Sequence, residues 1–192
     1  DLASEEFVRR VLDASDTLVM VDEAYFEFSR RTVRPLLNEY DNLVILRTFS
    51  KAFSLAGVRL GYLLGSEGVI NEFKKVRQPY SVDAVSQAIG QVVYKNRARV
   101  EKSVDRIIEE RGKLVEGISV IGGIEVWPSD SNYVLVRLAD AGEVWQKLLD
   151  AGVLVRDFSK SQYLEDCLRI SVGSPEENDK LLLELGRIVK GN

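Results

Sequence analysis

Within RTFSKAFSLAGVRLGY, Arg47 to Tyr62, a primary amine, two hydroxyls and a guanidinium fall close together in Lys51, Thr48, Ser50 and Arg59. A lysine works on carbonyl compounds by forming a Schiff base, which asks for partial desolvation or a cationic neighbour to free its lone pair. Arg59, eight residues on, is such a neighbour. Two hydroxyls and a planar guanidinium fork are also the groups that hold a phosphate dianion. The apolar run before them, Leu43 to Leu46, reads as a buried strand. Polar groups gathered at a strand's end are where open α/β sheets place their ligands. A Ser-Lys pair at a helix start is also ordinary surface chemistry, so this cluster alone leaves both readings open.

A second cluster lies upstream in LVMVDEAYFEF, where a strand-like run, Leu18 to Val21, ends in Asp22 with Tyr25 three residues later. An amine beside a phosphate cradle suggests pyridoxal phosphate. That cofactor needs a carboxylate against its pyridine nitrogen, because the protonated ring is the electron sink for a substrate carbanion. Asp22 supplies the carboxylate, and Tyr25 can bond the ring hydroxyl.

The stretches VDEAYFEF, TFSKAFSLAGVRLGY, RQPYSV, SNYVLV, GVLVRD and CLRISVG occur in this order over most of the chain. In them the sequence resembles the fold-type I, pyridoxal-phosphate-dependent aminotransferases, and within these the histidinol-phosphate aminotransferase group. The resemblance implies that Lys51 carries the cofactor as a Schiff base, that Asp22 partners the pyridine nitrogen and that Tyr25 donates to the ring oxygen. It makes Thr48, Ser50 and Arg59 phosphate ligands, and gives Arg169 the substrate's anionic group and Arg156 the phosphate of a phosphorylated substrate. The implied reaction is amino transfer, with histidinol phosphate and 2-oxoglutarate or glutamate as small-molecule substrates, in a homodimer. A threonine-phosphate decarboxylase and a broad aromatic aminotransferase reuse these motifs. A non-catalytic fragment or a cofactor-binding interaction module is the reading from another class.

The implied fold is α/β: part of the aminotransferase large-domain sheet, with its third strand antiparallel, plus a small C-terminal α+β domain joined by a long helix. Residues 1–90 are assigned to the partial cofactor-binding domain and 91–192 to the linking helix and small domain. The family's small-residue phosphate loop, the aromatic ring that stacks on the pyridine and an asparagine to the ring oxygen have no counterpart here. The chain is therefore expected to be a C-terminal portion that starts in mid-protein.

Composition narrows the classes. At 192 residues with 45% hydrophobic residues, the chain can pack a substantial core. A formal charge of -4 gives no basic footprint for nucleic acid. No apolar run approaches the roughly 20 residues of a membrane span, and no signal peptide opens the chain, so a cytoplasmic protein with no membrane partner is expected. The absence of histidine excludes a Ser-His triad and any histidine-ligated metal, so no metal site is expected. Acid-base work falls to Lys, Tyr or carboxylates.

Periodicity supplies the elements. A helix is expected over Glu5 to Ala14 with Ser4 as N-cap, and strands over Leu18 to Val21, Leu43 to Leu46 and Leu60 to Leu64. The first of these, apolar throughout, is expected to be covered on both faces. Ser29 to Asn42 reads as a polar segment with a solvated cluster of Arg30, Arg31 and Arg34. Apolar residues at a helical period run from Asp83 to Ile118, with Gly90 and Asn96 as candidate breaks. Strands at Ile124 to Trp127, Tyr133 to Val136, Val153 to Val155 and Leu168 to Val172 alternate with helices at Gly142 to Asp150 and from Pro175 through Ile188. Cys167, Trp127 and Trp145 read as core. Asn132 is read as either a turn residue or a substrate neighbour, and Arg169 on residues alone as a solvent-facing strand position.

Overall fold

The computed structural model describes residues 2–191 and divides into two compact units, Leu2–Val104 and the part from Asp105 onward. In the first, α1 (Glu5–Asp13) starts where the Ser4 hydroxyl accepts the Phe7 N–H, with Glu5 and Glu6 in the first turn. Acids there complement the positive end of the helix dipole. The unit continues through β1 (Val19–Asp22), the one-turn helix α2 (Phe26–Ser29), a 3-10 helix (Arg34–Asn38), β2 (Leu43–Thr48), a second 3-10 turn (Ala56–Val58) and β3 (Gly61–Gly65). It ends in α3 (Glu67–Val76), α4 (Ala84–Lys95) and the first part of α5 (Arg97–Ser119), within which the two units divide.

The sheet has the order β1-β2-β3, parallel between β1 and β2 and antiparallel between β2 and β3. Asp22 pairs with Leu46 and Thr48 with Gly61. Side chains alternate between the faces of a strand. One face carries Val19, Val21, Leu43, Ile45 and Leu64, which pack against Val8 and Leu12 of α1 and Val33 and Leu36. The other carries Met20, Asp22, Leu46 and Thr48. Met20 is half exposed, so the expectation of a strand covered on both faces fails for β1. The segment expected to be polar and solvated also departs. Arg30, Arg31 and Arg34 are exposed, but Leu36 and Val33 beside them are core residues, because the 3-10 turn faces them inward.

Ser66 caps α3, a helix that the periodicity did not indicate. The long helical pattern breaks at Asn96, whose side-chain amide donates to the Val92 carbonyl and competes with the helix ladder. Gly90 stays inside α4, and Leu60 fills the space that a Cβ there would need.

The second unit adds β4 (Ile124–Val126), β5 (Tyr133–Leu138), α6 (Ala141–Asp150), β6 (Arg156–Asp157), β7 (Cys167–Ser171) and α7 (Pro175–Lys190). Its sheet, ordered β4-β5-β7-β6, is antiparallel throughout. Val134, Val136, Leu168 and Ile170 form a core with Leu148 of α6, Leu181 and Leu185 of α7, and Leu114 and Ile118 of α5. Cys167 is fully buried, Trp127 is partly buried, and Trp145 lies against the core with its indole N–H donating to the Val155 carbonyl at 2.9 Å. Val153 to Val155 is not a strand; pairing with β7 covers Arg156 and Asp157 alone. A capping box of Ser174 and Glu177 with Pro175 at the start opens α7.

Candidate active site

Asp22, Tyr25, Thr48, Ser50, Lys51 and Arg59 all belong to the first unit and follow the ends of two parallel strands. Asp22 and Thr48 share a face, and strand geometry puts their Cα atoms about 8 Å apart. Asp22 is exposed and its Oδ1 accepts the Ala24 N–H at 2.9 Å, which turns the chain into Tyr25. Thr48 Oγ1 accepts the Ser50 N–H at 3.0 Å and so holds the turn that carries Lys51. Lys51 lies in this turn rather than at a helix start, with its Nζ 5.6 Å from the centre of the Tyr25 ring. It is exposed, so the partial desolvation that a Schiff-base lysine asks for is not supplied by these residues.

Arg59 adopts a left-handed backbone, φ 55°, and Ser54 in the same loop has φ 56°. Such conformations are costly for non-glycine residues and collect where a loop must aim side chains. The loop is tied back by Phe49 N–H to the Leu60 carbonyl and Leu55 N–H to the Phe49 carbonyl, each 3.0 Å. Gly61 lets β3 approach so closely that a Cβ there would sit 2.9 Å from the Arg47 carbonyl oxygen. One Arg59 N–H group donates to the Ala56 carbonyl at 3.0 Å, which leaves further guanidinium donors for an anion.

Behind this face lies an ion pair that is not among the residues expected from the sequence. Arg47 donates from Nε and one terminal nitrogen to Glu23 Oε2 at 3.0 and 2.8 Å, and stands 3.6 Å over the Phe26 ring. The signal was present in the sequence, since Arg47 is a charge that directly follows the apolar run Leu43 to Leu46.

In the second unit, Arg156 and Arg169 are cross-strand partners. Two like charges directly opposite repel unless an anion or a π face separates them. The Phe158 ring lies 5.8 Å from one guanidinium and 5.9 Å from the other, with Tyr133 5.1 Å from Arg169. Arg169 is half-buried rather than solvent-facing, and its Nε is buried with no hydrogen-bond partner. The aromatic pair gave no sequence signal, because Phe158 lies beyond a loop whose course a period does not reveal. Asn132 closes the other side of β7, accepting the Val172 N–H at 2.9 Å.

The donor set of the first unit matches pyridoxal phosphate in kind: a carboxylate, an amine, a phenol, two hydroxyls and a guanidinium, with no acid among the groups expected to face the phosphate.

The chain is 44% identical over 177 residues to the histidinol-phosphate aminotransferase of Thermoanaerobacter pseudethanolicus, an alignment covering 92% of the chain and 50% of that protein. The chain thus spans about half the length of the curated relatives it matches. The fold is that of the histidinol-phosphate aminotransferase of Clostridium acetobutylicum, with a TM-score of 0.90 at 23% identity over 100% of this chain and 60% of that one. The Sinorhizobium meliloti histidinol-phosphate aminotransferase, solved in complex with pyridoxal-5'-phosphate, superimposes with a TM-score of 0.81 at 26% identity, covering 97% of this chain and 52% of that one. The family profile for aminotransferase class I and II matches residues 1–185, and the chain belongs to that pyridoxal-phosphate-dependent family.

Proposed function

We propose that the chain carries the lysine-bearing part of an aminotransferase that moves an amino group between histidinol phosphate and 2-oxoglutarate, working as a cytoplasmic homodimer. The observation that carries this reading is the placement of Lys51, Asp22 and Thr48 at the ends of two parallel strands, in a chain 44% identical to a histidinol-phosphate aminotransferase.

Bound pyridoxal phosphate supplies an electron sink for a carbanion at the substrate's α-carbon. Asp22 holds the proton on the pyridine nitrogen, since an ionised carboxylate favours the charged ring. Tyr25 donates its hydroxyl to the ring oxygen. Thr48, Ser50 and Arg59 bind the phosphate, with Arg59 as the charged member. Lys51 Nζ would hold the cofactor and, once released, would take the proton from the α-carbon of the amino donor in one half of the reaction and deliver one to the α-carbon of the keto acid in the other. Arg169 and Arg156 recognise the anionic groups of the substrate, with the Phe158 ring beside both guanidinium groups.

The test is amino transfer by the full-length protein with histidinol phosphate, threonine phosphate and aromatic amino acids, alongside Lys51→Ala. The expected outcome is a preference for histidinol phosphate in the wild type and no turnover in the variant. Borohydride reduction that fixes the cofactor on Lys74 or Lys75 instead would overturn the assignment of Lys51.

A further inference from the structure

Three of the proposed cofactor contacts each have, as an immediate chain neighbour, a member of one buried network. Asp22 precedes Glu23, Tyr25 precedes Phe26, and Thr48 follows Arg47. Because side chains alternate along a strand, Asp22 and Thr48 point to the cofactor face while Glu23 and Arg47 point behind it. There the pair closes a network. Glu23 Oε2 accepts two N–H groups of Arg47 at 3.0 and 2.8 Å and the Thr32 hydroxyl at 2.9 Å, while Oε1 accepts the Val33 N–H at 2.7 Å. Thr32 Oγ1 accepts from Arg47 at 2.9 Å and from the Arg34 N–H at 3.0 Å. The Phe26 ring covers the guanidinium plane at 3.6 Å. Both charged side chains are nearly buried, 10% and 6% exposed.

A buried ion pair adds little stability over well-packed apolar residues, because desolvation offsets the attraction. A planar fork against a carboxylate does impose one geometry, and a network with its groups satisfied holds that geometry firmly. We propose that Glu23, Arg47 and Phe26 are positioning residues that fix, from behind the sheet, the spacing among Asp22, Tyr25 and Thr48 and thereby the grip on pyridoxal phosphate. This rests on the functional reading above, which makes those three residues cofactor contacts. The ladder bond from the Glu23 N–H to the Leu46 carbonyl, 2.9 Å, carries the pairing of β1 and β2 one residue past Asp22, so a shift of the pair moves both strand ends.

Two measurements test the clamp. In the 192-residue chain, hydrogen exchange followed by NMR reads the amides of Ala24 and Ser50, which bond to Asp22 Oδ1 and Thr48 Oγ1. Arg47→Lys, which keeps the charge and loses the fork, is expected to speed both amides by about tenfold while those in the middle of β2 stay slow. In the full-length protein, the double variant Glu23→Gln/Arg47→Met removes both charges and keeps an acceptor for the Val33 N–H. It is expected to melt near the wild-type temperature and to need about tenfold or more pyridoxal phosphate for half-saturation. Wild-type half-saturation with wild-type exchange at Ala24 and Ser50 would overturn the clamp. Uniformly faster exchange, or unfolding of both variants, would do so too, by showing a role in stability alone. If the wild type itself fails to bind the cofactor, the functional reading falls, and the amide exchange still decides whether the clamp holds the strand ends.

Discussion

Asp22 illustrates how one residue's role depends on its charge rather than its shape. Asn at this position keeps an oxygen for the Ala24 N–H but loses the negative charge that the proposed role, holding a ring proton, requires. Asp22→Asn in the full-length protein is therefore expected to lower kcat by about 10²-fold or more with a much smaller change in KM, measured by steady-state transamination. Arg169 depends on shape as well. Its Nε is buried and unpartnered, its guanidinium lies 5.1 and 5.9 Å from the centres of two rings, and Arg156 stands opposite; the proposed role sets an anion beside this pair. Arg169→Lys retains the charge but not the fork, and KM for a phosphorylated amine is expected to rise about tenfold, as loss of one charge-assisted hydrogen bond implies. An unchanged KM for phosphorylated and unphosphorylated amines alike would return Arg169 to a structural position.

Among the elements, α2 is too short to be stable by its own hydrogen bonds and is held by what it packs against, Phe28 in the core and Phe26 on Arg47. The same burial raises the Glu27 carboxyl above its ordinary value, partly offset by its backbone hydrogen bond and by Arg47. A raised carboxylate value means that the folded chain holds the proton more tightly than the unfolded one. The stability this residue contributes is then present below the ordinary carboxylate range and lost as pH rises through the raised folded value. Glu27→Gln is accordingly expected to raise Tm at neutral pH, with the gap closing toward about pH 4, where both side chains are neutral. Thermal melts across pH check this, and a gap that widens on acidification would contradict it. The elements also show the limits of pattern reading. Ser4, Asp83 and the Ser174 capping box mark helix starts by local hydrogen bonds that the sequence displays. Ser66 does the same for α3, but its neighbours Gly65 and Gly68 masked the signal.

At the scale of the molecule, β1 has a partner on one side only among the described residues, and Leu18 and Met20 are about half exposed beside it. An apolar edge strand is a template for further pairing. The 192-residue chain is expected to self-associate with concentration, and Met20→Lys to shift it toward monomer without lowering Tm; light scattering decides, and equal association by both would remove the edge as the cause. No helix among the described residues is long and apolar enough to cross a membrane. The sequence by itself displayed the candidate residues and determined most elements, because a strand's apolar run, a cap and a Thr-x-Ser-Lys turn are local and leave their periods and residue types in the chain. It also determined the family, through motifs spread over most of its length. Only the tertiary structure decided that Glu23 and Arg47 meet behind Asp22 and Thr48, that Phe158 lies beside both Arg156 and Arg169, and that Leu36 is core. Those contacts join residues whose separation along the chain carries no period, so only packing brings them together.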